Sequence, residues 1–332
     1  MLKNALSERI NIMGKTAWII TAFALIAFGM LVLIMALSSV GWDFSKLGTG
    51  NYETNSYEIT EDFENILIET NTADVAIVPS YDGKCSVVCY EQSKVRHSVL
   101  VRDGALAVSV EDTRKWYEYI GFNFTKPTIT LYIPAGDYAT LSIESDTGDV
   151  EIPKELSFKS IYVNESTGDV KNYASASEKI KIDTSTGDIR VEGISAGSLE
   201  LSVSTGKVTA SDIICDKDFK ADVTTGRANL TNVTCKNLIS DGDTGDISLK
   251  NVIASERFYI ERDTGDVILD GCDATEIFIE TDTGAVTGTL LSEKIFIVET
   301  DTGRRDVPKS TTGGRCEITT DTGDIRISIT EK

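Results

Sequence analysis

The tripeptide Asp-Thr-Gly at residues 263–265 is the sequence that carries the catalytic carboxylates of aspartic proteases. Those enzymes need two facing carboxylates that share one proton. This chain has six copies, which begin at Asp146, Asp243, Asp263, Asp282, Asp301 and Asp321. In four further copies of the same turn, Ser or Thr replaces the Asp, at Ser166, Ser185, Ser204 and Thr224. Because catalysis does not tolerate that replacement, the recurrence favours a structural turn over a protease dyad.

The repeated turns place carboxylates in two rows that could supply oxygen ligands to calcium. One row lies two residues before each turn Gly and the other directly after it. The candidate calcium ligands are Asp243, Asp246, Asp263, Asp266, Asp282, Asp301, Asp321 and Asp324. The spacing lacks an established calcium-loop pattern, so the alternative is a solvated acidic edge in which Asp serves turn geometry. No cofactor other than calcium is expected.

Two basic residues, Lys207 and Arg227, interrupt the row after the turn Gly and stand between Asp188 and Asp246. Clustered Asp, a cation and a basic residue could serve a polysaccharide-acting enzyme of the β-helix type. Against this, the turns are uniformly short, so no long loop walls off a substrate cleft. The sequence therefore assigns no catalytic residue, and a non-enzymatic protein is predicted.

Thiol and imidazole groups offer little further chemistry. The chain has six cysteines: Cys85, Cys89, Cys215, Cys235, Cys272 and Cys316. Cys215 and Cys235 hold the same place in adjacent repeats, where a disulfide and two buried thiols are both open interpretations. Cys85 and Cys89 share one face of a predicted strand, and a lone pair at that spacing predicts no metal site. With His97 as the single histidine, a histidine-based metal site or triad is not expected.

These residues are positioned by a repeat whose period is 19 or 20 residues. The turn Gly occurs at residues 148, 168, 187, 206, 226, 245, 265, 284, 303 and 323. Apolar residues recur seven and five before the Gly and two and four after it, as in Phe258, Ile260, Val267 and Leu269. Each repeat therefore carries short strands of alternating pattern. Stacked coils bury the apolar face, so the fold class predicted is all-β, a parallel β-solenoid or β-helix with coils of about 20 residues.

The alternative fold is an antiparallel meander in which each turn closes a hairpin. It would put some twenty strands in one open sheet, which exceeds the roughly ten strands at which open sheets normally stop. The solenoid closes its apolar face on itself and is preferred.

An apolar stripe is predicted on the outward face, six residues before the Gly in four repeats: Ile239, Tyr259, Phe278 and Ile297. Stacked apolar residues on a polar face suit a partner surface. Three alternatives remain for what covers this stripe: a lid from the same chain, an identical subunit or a foreign ligand. A second aromatic group, expected to cap the core, comprises Trp116, Tyr117, Tyr119, Phe122 and Phe124.

The N-terminal region predicts a membrane anchor. Residues 17–37 form an uncharged run long enough to cross a bilayer as a helix. Lys3, Arg9 and Lys15 precede it, which places the N-terminus in the cytoplasm and the rest outside the cell membrane. A cleaved signal peptide is the alternative. The formal net charge of −20 argues against nucleic acid as a partner.

Five segments follow from these patterns. They are a cytoplasmic N-terminus (1–16), a transmembrane helix (17–37), a linker (38–58), a degenerate first coil with a non-repeat cap (59–140), and a regular solenoid of ten repeats (141–332). The degenerate coil is FENILIETNTADVAIVP, in which Ala73 stands in for the turn Gly. The final strand, DIRISITEK, offers an open edge where molecules could stack into a self-assembling scaffold.

The anchor, the FENILIETNTADVAIVP start, the strand TITLYIPAG and the TGDV-type repeats resemble the bacterial putative adhesin family of β-strand-repeat domains of unknown function. The resemblance covers residues 55 to 332. It implies a single-pass protein of the cell surface or envelope, with adhesion or a link to envelope stress as its role. It implies no catalytic residues. Partners would be an envelope or surface ligand, another protein, or a second copy of the chain.

Overall fold

The computed structural model describes residues 2–39, 51–116 and 125–330. The chain forms two compact units, Met1–Asn51 with Arg114–Lys126, and Tyr52–Thr113 with Pro127–Lys332. The described part of the first unit includes the helix α1 (Leu2–Ser39). Its part from Ile20 to Ser39 has a mean hydropathy of 2.7 and is long and apolar enough to cross a membrane. The apolar helix predicted near the N-terminus is therefore present.

The second unit is built from β-strands. Those of its N-terminal part are β1 (Tyr52–Ile59), β2 (Asn65–Thr70), β3 (Asp74–Ser80), β4 (Cys85–Gln92), β5 (Val95–Arg102), β6 (Ala105–Asp112) and β7 (Thr128–Pro134). The coils then contain β8 (Asp137–Thr147), β9 (Val150–Ile152), β10 (Ser157–Thr167), β11 (Val170–Asn172), β12 (Ser175–Thr186), β13 (Ile189–Cys215), β14 (Asp218–Thr244), β15 (Ile247–Thr264) and β16 (Val267–Thr283). The last strands are β17 (Val286–Leu290), β18 (Lys294–Thr302), β19 (Arg305–Asp306), β20 (Gly314–Thr322) and β21 (Ile325–Ile329).

Equivalent strands of successive coils pair in parallel and in register. Leu199 lies opposite Phe219, and Val203 lies opposite Val223. The apolar residues of each coil point inward and form one continuous buried core along the unit. The predicted β-solenoid is confirmed, with about 10 coils, and the antiparallel meander is wrong for the repeat region.

The turn Gly is required because the coils stack closely at this corner. Gly226 has φ +143°, a conformation that side chains with a Cβ rarely adopt. A Cβ on Gly226 would also overlap the carbonyl oxygen of Gly206 in the adjacent coil. A second corner, six residues after the turn Gly, needs the left-handed conformation, which Asn232 (φ 54°) and Asn251 (φ 52°) adopt. This second corner was not predicted.

The N-terminal end of the solenoid departs from the predicted boundaries. Residues 52–58, predicted as linker, belong to β1, which pairs antiparallel with β4. The coil of β2 and β3 lies directly beside β8 and β9 although some sixty residues separate them in sequence. Strands β6 and β7 pair with its other side. The non-repeat segment therefore leaves the first coil and adds strands to both of its faces, β6 beside β2 and β7 beside β3. The chain then returns to the other side of the first coil as β8 and β9.

The C-terminal end has a coil order different from the sequence order. Strand β20 lies between β16 and β18 and pairs in parallel with both, and β21 likewise lies between β17 and β19. The prediction that DIRISITEK provides the open edge is therefore wrong. Among the described residues, the outermost coil at this end contains β18 and β19, whose partners on the inner side are β20 and β21. The extra turn from Thr311 to Gly314 lets the chain return between two coils.

Candidate interaction surface

Three residues of the predicted stripe lie side by side on consecutive coils. Ile239 is in register with Tyr259, and Tyr259 is in register with Phe278. The rings of Tyr259 and Phe278 stack with centroids 5.0 Å apart and planes 13° apart. Tyr259 is 38% exposed. We call Ile239, Tyr259 and Phe278 the aromatic stripe.

The fourth predicted residue, Ile297, does not adjoin Phe278. Because β20 is inserted between β16 and β18, Glu317 lies next to Phe278, and Ile297 lies beyond Glu317. Ile297 is 48% exposed and belongs to the outermost coil together with Ile295, which is 43% exposed. The predicted stripe of four is thus three contiguous residues and a separate apolar pair at the solenoid end.

Polar groups border the aromatic stripe on both sides. The Tyr259 hydroxyl donates to Glu261 Oε2 at 2.9 Å, and this hydrogen bond raises the pKa of Tyr259. On the other side, Arg257 pairs with Glu276 at 3.1 Å. The row beside the stripe on the Glu261 side is acidic, since Asp241, Glu261 and Glu280 are in register. The surface therefore combines apolar side chains with negative charge.

A shallow depression of about 490 Å³ borders the stripe. Ile239 and Tyr259 form its apolar side, and Glu256 and Arg257 contribute charged groups. A partner side chain could enter this depression while its neighbours contact the stacked rings.

The predicted calcium ligands occupy two separate rows with different surroundings. In the row after the turn Gly, each carboxylate accepts a backbone hydrogen bond from the next coil. Asp246 Oδ1 accepts from the N–H of Asp266 at 3.0 Å, and Asp266 Oδ1 accepts from the N–H of Ala285 at 2.8 Å. Asp324 Oδ1 accepts from the Arg304 N–H at 2.9 Å. These carboxylates therefore complete the backbone hydrogen bonding of the turns.

The row two residues before the Gly points to solvent and comprises Asp243, Asp263, Asp282, Asp301 and Asp321. Where a Thr precedes the Asp, its hydroxyl donates to a Gly carbonyl of the adjacent coil. Thr320 Oγ1, for example, donates to the Gly284 carbonyl at 3.0 Å. Within the described ranges, neither row brings three possible metal ligands within 4.8 Å of one another. The calcium hypothesis gains no assembled site from this geometry.

Lys207 and Arg227 lie on the exposed corner row as the sequence predicted. The Lys207 N–H donates to Asp188 Oδ1 at 2.9 Å. Arg227 Nε lies 3.6 Å from Asp246 Oδ2, with side chains 70% and 41% exposed. An exposed pair of this kind contributes little energy, and the open surface provides no means of excluding water from a reacting bond.

Three aromatic residues pack together at the N-terminal end of the second unit. Phe63 and Tyr138 stack with centroids 6.0 Å apart, and Tyr138 lies 5.8 Å from Phe158. Trp116 is 79% exposed, and its role in the cap stays a prediction. Tyr117, Tyr119, Phe122 and Phe124 lie outside the described residues.

A buried polar cluster in the cap was missed by the sequence analysis. Cys89, Glu91 and His97 are all buried, and their possible ligand atoms lie within 4.8 Å of one another. Glu91 Oε2 accepts from His97 Nδ1 at 2.7 Å. A signal was present: Cys89 and Glu91 share one face of β4, and the short connection to β5 returns His97 to them. The sequence analysis did not predict that His97 would lie in this group.

The cysteines are all free thiols in the structure, including the neighbours Cys215 and Cys235. Burial raises the pKa of Cys235 to about 12. Such thiols pack as small apolar side chains and are poor nucleophiles.

Comparison with known proteins finds a family model that matches the repeats and several solved structures of similar fold. The model of the family Toastrack DUF4097 matches residues 63–217 and 209–332. No curated protein matches the chain. A putative adhesin from Parabacteroides merdae has 13% identity and a TM-score of 0.48, covering 85% of this chain and 98% of its own. A putative lipid binding protein from Parabacteroides distasonis has 15% identity and a TM-score of 0.46, covering 73% and 95%. A putative adhesin from Bacteroides fragilis has 16% identity and a TM-score of 0.41, covering 84% and 97%.

Proposed function

The chain belongs to the Toastrack DUF4097 family, and we propose that it is a non-enzymatic, membrane-anchored module that binds cell-envelope material through its aromatic stripe. The proposal rests chiefly on one observation, the stacked pair Tyr259 and Phe278 on an otherwise polar face. Removing such apolar area from water favours association, and aromatic residues supply much of the binding energy at protein interfaces.

The ring geometry limits what can bind. Because the two rings stack on each other at 5.0 Å, their inner faces are already occupied and no broad flat platform is offered to a sugar ring. A partner must contact the ring edges and enter the depression beside Ile239. The adjacent carboxylates of Asp241, Glu261 and Glu280 favour a partner with positive charge beside its apolar groups.

Helix α1 supplies the anchor in this proposal. Its apolar part from Ile20 to Ser39 spans 20 residues, about the length that a bilayer core requires. Lys3, Arg9 and Lys15 before the apolar run support a cytoplasmic N-terminus, since positive charge flanks the inner side of membrane helices. The second unit then lies outside the cell, where the stripe meets envelope material.

Adhesion of liposomes that carry the full chain tests the proposal. Binding to immobilised envelope fragments from cells that express the protein is compared for the native chain and for Tyr259→Ser combined with Phe278→Ser. We expect the double variant to bind at least about tenfold more weakly, as loss of an aromatic hot spot predicts. The matched control is Tyr162→Ser, which changes an outward Tyr of equal exposure, 38%, on a distant coil. Equal binding by all three proteins would overturn the proposed site.

A second candidate function is a self-assembling scaffold, which one observation favours. The outermost strand β18 carries the exposed pair Ile295 and Ile297, and an open strand edge can pair with another chain. Sedimentation of the full chain in detergent tests this candidate. Concentration-dependent association that Ile295→Lys abolishes would support it, and a single species at all concentrations would contradict it.

A further inference from the structure

The buried cluster in the cap combines three kinds of metal-binding atom. Cys89 and Glu91 lie on β4, which extends one face of the solenoid, and His97 lies on β5, which extends another. Cys89 and Glu91 are 0% exposed and His97 is 4% exposed. The thiol, the carboxylate and the imidazole therefore meet inside the cap, away from the aromatic stripe.

We propose that Cys89, Glu91 and His97 bind a zinc ion. The thiolate sulfur, the imidazole nitrogen and the carboxylate oxygen are the three ligand types that zinc uses in proteins. Their atoms lie within 4.8 Å of one another, so small side-chain movements bring all three to zinc. A water molecule completes a tetrahedral site.

The groups around the cluster orient the ligands for an ion. Thr70 Oγ1 lies 3.1 Å from His97 Nε2. Without an ion, His97 Nδ1–H donates to Glu91 Oε2; in the proposed zinc-bound state the ring proton is on Nε2 and is donated to Thr70 Oγ1, which frees Nδ1 to bind the ion. Asn55 Nδ2 donates to Glu91 Oε1 at 2.7 Å, which leaves Glu91 Oε2 toward His97 Nδ1. Such second partners fix the ring orientation and the tautomer of metal-binding histidines.

The charge balance also favours a divalent cation. On binding, the Cys89 thiol gives its proton to solvent, the His97 proton resides on Nε2, and the Glu91 carboxylate stays ionised. The two negative charges then neutralise Zn²⁺ in a buried site. Zinc coordination deprotonates a thiol directly.

Zinc at this position would hold the cap together. The ion would join β4 to β5 across the core, close to the end of β2 at Thr70. Tyr57 from β1 adds a hydrogen bond to the His97 carbonyl at 3.0 Å. Metal binding and folding of the cap are therefore coupled.

The test uses the full chain in detergent, stripped with a chelator and then titrated with Co²⁺ and Zn²⁺. We expect one ion per chain, a thiolate-to-cobalt absorption band, loss of the band when zinc is added, and a rise of several degrees in Tm with zinc. Excess Ca²⁺ should produce none of these effects. Absence of the cobalt band and of bound zinc in the native chain would overturn the proposal without reference to any variant.

Two matched variants locate the ion. Cys89→Ser should lose the cobalt band, whereas Cys85→Ser, which changes the half-buried thiol on the same strand, should retain it. His97→Gln should weaken zinc binding by the tenfold or more expected for loss of a ligand. A band that survives in Cys89→Ser would place the metal elsewhere and contradict the assignment.

Discussion

Carboxyl groups in this protein differ in role according to their place in the coil. Glu165 points inward, is 1% exposed and lies in a slot where five other coils carry Ser or Thr, at residues 145, 184, 281, 300 and 320. Burial, with smaller contributions from the nearby Asp146 and Asp149, raises the pKa of Glu165 to about 7. The folded protein therefore retains a proton there that the unfolded chain releases at lower pH.

This difference predicts a pH-dependent stability. Between the ordinary Glu value of 4.5 and about 7, the folded state binds more protons than the unfolded state, so stability falls as pH rises. Glu165→Gln removes the effect. We expect the variant to match the native chain near pH 4 and to be more stable by roughly 2–3 kcal/mol near pH 8.

Chemical unfolding of both proteins across this pH range measures the effect. Glu144→Gln, which changes an exposed carboxylate on the adjoining coil, is the control and should show no such gain. A pH-independent difference between the native chain and Glu165→Gln would contradict the assignment.

The two rows of Asp at the turn predict different effects of substitution. Asp266→Ala removes the acceptor for the Ala285 N–H and should lower the free energy of unfolding by about 1 kcal/mol. Asp263→Ala changes the exposed Asp of the same turn and should lie within about 0.5 kcal/mol of the native chain. The free energy of unfolding of both variants is measured in denaturant. If the two substitutions lower it equally, the stabilising contribution of Asp266 is not its hydrogen bond to the backbone.

At the scale of the element, the turn depends on contact between backbones. Gly226→Ala adds a Cβ that overlaps the Gly206 carbonyl and forces an unfavourable φ. We expect a loss of at least about 3 kcal/mol in stability. The control is Gly193→Asn at the other corner, where a Cβ has open space and where other coils carry Asn or Asp. It should change the Tm little, and a similar loss in both variants would contradict the stacking argument.

The sequence predicted these elements well where one residue type repeats at a fixed spacing. The inward positions of Phe258 and Ile260 follow directly from periodicity. Arg262 does not, because its charge predicts an exposed position, yet it is 2% exposed. Its side chain occupies the space left by Gly242 and donates to Ser240 Oγ at 2.7 Å. A contact between neighbouring coils of this kind cannot be seen from one repeat alone.

At the scale of the whole molecule, the order of coils was the least predictable feature. The apolar pattern and the repeat period are the same whether the coil of Gly323 lies outside the coil of Gly303 or is inserted on its inner side. The inserted position of β20 broke the predicted stripe at Glu317. The group of Cys89 and His97 was missed for a related reason, since it forms between strands on different faces of the cap.

The inserted coil predicts an unusual response to truncation. Deletion of residues 314–332 removes β20 and β21, leaving β18 without its partner strand. We therefore expect residues 292–313 to become sensitive to protease, with a stable product ending near Leu291. Deletion of residues 292–332 should give a protein of nearly the same Tm. Persistent protection of residues 292–313 in the first protein would support a sequential coil order instead.

Hydroxyl-radical footprinting of the full chain in liposomes docked on envelope fragments shows whether the aromatic stripe is the contact surface. Tyr259 and Tyr162 have equal exposure, 38%, and occupy equivalent outward positions. We expect docking to protect Tyr259 and Phe278 from oxidation while Tyr162 reacts as before. Equal oxidation of Tyr259 with and without the envelope fragments would contradict it.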